Sequence, residues 1–123
     1  MTELQSLIKN LKKANQRLKE VIKLKLTKVH RDATIQRFEF TFELFWKTLQ
    51  EYVKDEGFEC NSPKSCIREG ARLEIIDNPE GWFEYLKARN FIAHTYNEKL
   101  AEKVYKKAVK FPKEVDKLLN KII

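Results

Sequence analysis

The chain is predicted to fold as an all-α domain, an antiparallel up-and-down four-helix bundle with one additional short helix. Three observations predict it. Only three glycines and three prolines occur in 123 residues, so the chain has few places to turn sharply, and long helices joined by short loops follow. Apolar residues recur at helical spacing along almost the whole length, with lysine between them. With 42% hydrophobic and 35% charged residues, the composition is that of a folded chain able to build one core. Residues 1–123 read as a single domain, without repeats, low-complexity tracts or an interdomain linker.

The elements follow in order. Leu4, Leu7, Ile8, Leu11, Ala14, Leu18, Val21, Ile22, Leu26 and Val29 form one stripe, which predicts an amphipathic helix over roughly 3–28. Asp32 is the expected N-cap of a second helix that runs to about Glu56 and stops at Gly57. Its main stripe is Ile35, Phe38, Phe42, Phe45, Trp46, Leu49, Tyr52 and Val53. Phe40 and Leu44 lie about half a turn away. A helix apolar on two sides needs two partners, so these two residues are expected to contact a second copy of the chain. Glu43, at the edge of the main stripe, is placed to pair with Lys47 one turn on.

Ser62 followed by Pro63 marks the start of a short third helix ending near Ile76. Arg68 and Arg72 share one of its faces. They suit contacts to phosphate or RNA, and equally suit a solvated surface. Asn78 and Pro79 repeat the cap-and-proline start for a fourth helix through His94. Asn97 caps the last helix, in which Leu100, Val104, Ala108, Phe111, Val115, Leu118 and Ile122 keep the rhythm. Pro112 is expected to kink it near 108–112.

The net charge of +7 is uneven. Residues 1–31 carry nine basic and two acidic side chains, and 97–123 carry eight and four. The middle of the chain is mildly acidic. Such basic ends suit a polyanion such as RNA, or a solvated lysine face. No apolar run approaches the roughly 20 residues needed to cross a bilayer, and the start lacks the order of a signal peptide. A cytoplasmic protein without membrane association is expected. Cys60 and Cys66 are too widely spaced for a CxxC pair and have no His or Cys cluster beside them, so they read as ordinary thiols.

The chemistry concentrates in "RNFIAHTY", residues 89–96. At about 100° per residue, Asn90 and His94 share one helical face, while Arg89 and Tyr96 share another. Arg89 and His94 converge only if the helix ends near His94, or if a second copy supplies the other half. Together they suit metal-free phosphodiester cleavage. The imidazole would take the 2′-OH proton, and the guanidinium would offset charge building on phosphate. On spacing alone, the same two side chains also suit a helix C-terminus, where cations are favourable. No acidic constellation points to a metal and no glycine-rich loop to a nucleotide cradle, so no metal or cofactor is expected.

Arg89, four residues, His94, one residue, Tyr96 resembles the RX4HXY signature of HEPN domains of the HepT type. "IQRFEFTFELFWKTLQEY" (35–52) and "IREGARLEIIDNPEGWFEYLKARNFIAHTY" (67–96) resemble the nucleotidyltransferase substrate-binding proteins, and the likeness covers essentially the whole chain. It implies a helical homodimer that forms a complex with a minimal nucleotidyltransferase encoded nearby. In the toxin branch it implies a metal-independent endoribonuclease. Arg89 and His94 would then be the catalytic pair and Asn90 a supporting polar residue. Tyr96 would be the hydroxyl to which the partner transfers AMP, silencing the toxin. The alternative it implies is a non-catalytic substrate-binding subunit of a two-component nucleotidyltransferase.

Overall fold

A computed structural model describes all residues 1–123. It contains six α-helices, α1 (Glu3–Ile22), α2 (Lys28–Asp55), α3 (Pro63–Arg72), α4 (Pro79–Asn90), α5 (Glu98–Ala108) and α6 (Phe111–Ile122). One 3₁₀ turn, Ile92–His94, lies between α4 and α5. There are no strands, and no helix is long and apolar enough to cross a membrane. The 28-residue α2 is the central rod and packs against α1, α3, α4 and α5, while α6 returns along α1.

Five of the six α-helix starts are capped by a side chain, and α6, which begins at the break beside Pro112, is not. The Thr2 hydroxyl accepts from the Gln5 N–H while the Gln5 side chain accepts from the Thr2 N–H, and Ser62 with Ser65 repeats the arrangement at α3. Asn78 accepts from the Gly81 N–H, and Asn97 from the Lys99 and Leu100 N–H groups. The cap of α2 differs from expectation. Thr27, not Asp32, accepts from the His30 N–H at 3.1 Å. The first helix therefore ends at Ile22, and Leu26 and Val29, the last members of the stripe that suggested a longer helix, are exposed. Threonine, like aspartate, is a favoured cap, and apolar periodicity does not register that Thr27 opens the helix five residues before Asp32.

The end of α2 follows the sequence. Gly57 adopts φ 89°, and the Phe58 N–H donates to the Val53 carbonyl at 3.0 Å. This is a Schellman closure, and glycine is its favoured residue. Helix α3 closes in the same way, with Ile75 N–H donating to Gly70 O at 3.0 Å and Glu74 N–H to Ala71 O at 3.1 Å. Here Glu74 occupies the left-handed position at φ 65°. The turn carries Ile75 and Ile76 into the core, so α3 ends at Arg72 rather than near Ile76. A Cβ added at Gly70 would lie 2.7 Å from Ile76 Cγ1, so that return requires glycine.

Pro112 ends a helix rather than kinking it. It has no N–H for the Ala108 carbonyl, and α5 stops at Ala108 before α6 restarts at Phe111. The break turns Phe111 inward. Its ring lies 5.1 Å from Phe38, 5.9 Å from Phe42, 5.8 Å from Trp82 and 5.1 Å from Tyr85, centroid to centroid. Phe45 stacks on Trp82 at 4.3 Å. Asn15 on α1 holds the far side, donating to the Pro112 carbonyl and to Asp116, each at 3.1 Å.

Cys60 and Cys66 form a disulfide, which corrects their reading as thiols. The turn at the Ser62 cap folds the first turn of α3 back over the incoming loop and brings the two Cα atoms to 5.1 Å. Linear spacing does not reveal that reversal. Gln50 on α2 ties the same loop down through the Cys60 carbonyl at 2.9 Å.

Arg31 clamps α2 to α5. Its side chain is 6% exposed. It donates to Glu98 at 2.7 Å, Asp32 at 3.1 Å and Glu102 at 3.3 Å. The hydrogen bond from Arg31 holds the Glu98 carboxyl below the ordinary carboxylate range. A carboxyl lowered on folding stabilises the fold above its unfolded pKa, and that contribution is lost as pH falls through its folded value. Thermal melts from pH 7 to pH 3 should therefore show a shallower acid decline for Glu98→Gln than for the parent. Because Glu98 is largely exposed, the difference is expected to be small. Parallel acid limbs would remove Glu98 from the linkage.

Candidate functional site

The segment 89–96 is built by the end of α4. Phe91 N–H donates to both the Lys87 and Ala88 carbonyls, at 3.2 and 3.1 Å. The α-helix thereby tightens into the 3₁₀ turn, which closes with His94 N–H to Phe91 O at 2.9 Å. Thr95 Oγ1 donates to the Ile92 carbonyl, and Asn97 N–H to the His94 carbonyl, before α5 begins. The α-helix thus ends at Asn90 rather than running through His94 as the sequence suggested, and the 3₁₀ turn closes at His94, the kind of helix end that convergence of Arg89 and His94 within one chain would require.

The two side chains nevertheless take different partners. Arg89 Nε and Nη2 both donate to Glu43 Oε1 on α2, at 2.8 and 2.5 Å, and Nη1 donates to Asn90 Oδ1 at 3.0 Å. The second Glu43 oxygen accepts from Trp46 Nε1 at 3.0 Å. The guanidinium carbon sits 5.7 Å from the centroid of the Phe42 ring. With 28% of its side chain exposed, Arg89 is held from below and open on one side. His94 and Tyr96 are exposed, the tyrosine by 85%, and their ring centroids lie 6.2 Å apart. No hydrogen bond links Arg89 to His94, and no cluster of three metal-ligating side chains forms.

Glu43 is the residue that sequence reasoning misassigned. The expected pair with Lys47 is absent, and Lys47 is exposed. Arg89 arrives from α4 with two N–H groups aimed at one oxygen, while Trp46 occupies the other. A fork of donors outcompetes a mobile ammonium one turn away. Nothing in the linear sequence joins positions 43 and 89, which are 46 residues apart.

The remaining candidates are placed elsewhere. Arg72 pairs with Glu69 at 2.7 Å and lies over the Phe58 ring at 4.0 Å, so its guanidinium is already engaged. Arg68 is exposed and lies 5.9 Å from the Phe83 centroid, a ring it shares with Lys64. Phe40 is 61% exposed, beside Arg17 and Arg37 in a groove between α1 and α2. Leu44 is half-buried and packs partly against the chain's own core. The outward apolar face of α2 is therefore mainly Phe40.

A family model described as "nucleotidyltransferase substrate binding protein like" matches residues 6–123. A crystal structure of a Thermus thermophilus protein is similar over 90% of this chain and 97% of its own, at 36% identity and a TM-score of 0.85. The structure of HI0074 from Haemophilus influenzae, described as revealing the fold of a substrate binding domain of a nucleotidyltransferase, covers 93% of this chain. It does so over 97% of its own length, at 26% identity and a TM-score of 0.74. No curated protein matches the chain significantly.

Proposed function

The chain belongs to the nucleotidyltransferase substrate-binding protein family, and from that premise we propose that it is the non-catalytic substrate-binding subunit of a two-component nucleotidyltransferase. One observation carries the choice. The Arg89 guanidinium is neutralised by Glu43 and braced by Asn90, rather than set opposite His94. A phosphate-stabilising arginine works best with its charge unspent and aimed where new charge develops. An arginine tied across two helices holds the end of α4 in place, and with it the His94–Tyr96 corner. In this reading the minimal nucleotidyltransferase supplies the chemistry, and this chain supplies the acceptor.

A second reading rests on a different observation. His94 and Tyr96 share one exposed corner, and the tyrosine hydroxyl is open to solvent. That suits the toxin reading, in which Arg89, Asn90 and His94 cleave RNA and the partner transfers AMP to Tyr96. It requires a dimer that brings two copies of segment 89–96 around one cleft.

One experiment separates them. The purified chain, with and without its nucleotidyltransferase, is assayed for transfer of label from a nucleoside triphosphate. In parallel it is assayed for RNA cleavage in EDTA beside His94→Ala. The expected result is label on a small-molecule acceptor only when both proteins are present, with no cleavage by either form. Cleavage lost in His94→Ala, with label on Tyr96, would replace the first reading by the second.

Assembly is tested separately. Phe40 motivates a homodimer through the outer face of α2. Phe40→Glu should lower the sedimentation coefficient to that of a monomer, and an unchanged profile would place any dimer contact elsewhere.

A further inference from the structure

Helices α4 and α5 enclose a groove of about 320 Å³. At about 100° per residue, the α4 residues that line it, Glu84, Lys87 and Ala88, lie about 140°, 160° and 100° around the helix from Arg89, so the groove is separate from the Arg89–Glu43 side. Lys87 reaches it from α4. Lys103, Lys106 and Lys107 reach it from α5, and Lys110 from the turn that follows. The only acidic lining residue is Glu84. None of the five lysines makes an ion pair, although Lys19, Lys117 and Lys121 elsewhere do.

The floor is apolar, made by Ala88, Phe91, Leu100 and Val104. Lysines at a helix C-terminus complement its dipole, and lysines on a solvated face need no ligand. Neither accounts for five lysine side chains lining one concavity with an apolar bottom, of which only Lys107 has another partner, its ammonium lying 5.5 Å from the centroid of the Tyr85 ring. Like charges brought together without a counter-ion raise one another's energy, and a bound anion relieves that. The volume falls at the small end of the range for organic ligands.

We propose that this groove binds a nucleoside phosphate, with its phosphates among the lysines and its flat base on the Phe91 floor. Ammonium groups act as point charges toward phosphate oxygens without demanding one orientation, and the apolar floor accepts a flat ring. Its role as the acceptor presented to the partner rests on the substrate-binding reading above; the binding itself does not.

The test uses ATP as probe and the intact, partner-free chain. Amide shifts on titration should map to Phe91, Lys103 and Lys107. Adenosine and inorganic phosphate should each bind at least tenfold more weakly than ATP. The charge-reversed Lys103→Glu/Lys106→Glu, which alters two exposed side chains, should bind ATP at least tenfold more weakly with unchanged helicity. Lys113→Glu, outside the groove on α6, should bind as the parent does and serves as the control for general electrostatics. Shifts mapping elsewhere, no binding at millimolar ATP, or equal weakening by Lys113→Glu would overturn the proposal. If ATP binds in the groove but the partner transfers nothing, the groove stands and the substrate-binding reading falls. If transfer proceeds unchanged with the charge-reversed chain, the groove's role as acceptor site falls and the subunit reading stands.

Discussion

Replacing Phe111 with alanine is expected to cost about 4 kcal/mol of folding stability, and to lower Tm by roughly 12–20 °C for a chain of this length. Phe111 is wholly buried and touches rings from α2 and α4, while its own helix begins at the break beside Pro112. Truncation would leave a cavity lined by Phe38, Phe42, Phe45, Trp82 and Tyr85. Those rings are fixed by one another, so the cavity cannot close by moving a single side chain. Phe111→Leu, which keeps most of the volume, should cost about 1.5 kcal/mol. Urea melts of both variants check the ranking. A loss below 1 kcal/mol for the alanine variant would mean that the ring cluster is not the centre of the core.

Reducing the Cys60–Cys66 disulfide is expected to lower stability by about 2 kcal/mol, the loop-closure effect for so short a loop. The corresponding fall in Tm is roughly 6–10 °C. The bridge closes a loop over the start of α3, and both cysteines are buried in the core cluster. Reduction should leave the helices formed, because Ser62 still caps α3 and Gln50 still holds the Cys60 carbonyl. The loss should therefore show in the melting temperature and not in helical content at 20 °C. Melts with and without dithiothreitol, alongside thiol titration of the folded protein, check both points. Two titratable thiols before reduction would show that the bridge is not formed in solution.

The two predictions depend on different kinds of legibility. Phe111 stood in the sequence as one member of a seven-residue rhythm, so its burial was readable there. Its position at the centre of five rings was not, because that depends on Pro112 breaking the helix rather than bending it. The cysteines were misread for a related reason. A cap turn reverses the chain between them, and spacing alone carries no record of a reversal. At the site, the sequence pointed to Arg89, Asn90, His94 and Tyr96, and the family that stretches 35–52 and 67–96 resemble is the family the chain belongs to. What it did not contain was Glu43 as the partner of Arg89, or the convergence of five lysines from α4, α5 and the following turn on one groove.

Local signals are encoded within one or two turns of chain. The sequence by itself therefore determined the all-helical class, the caps at Ser62, Asn78 and Asn97, the stop at Gly57 and the buried stripe of α2. Only the tertiary structure decided that α2 opens at Thr27 rather than Asp32, where the last helix divided, and which cation met Glu43. Each of these is a competition between partners of similar local merit. It is settled by what the rest of the fold brings within about 3 Å.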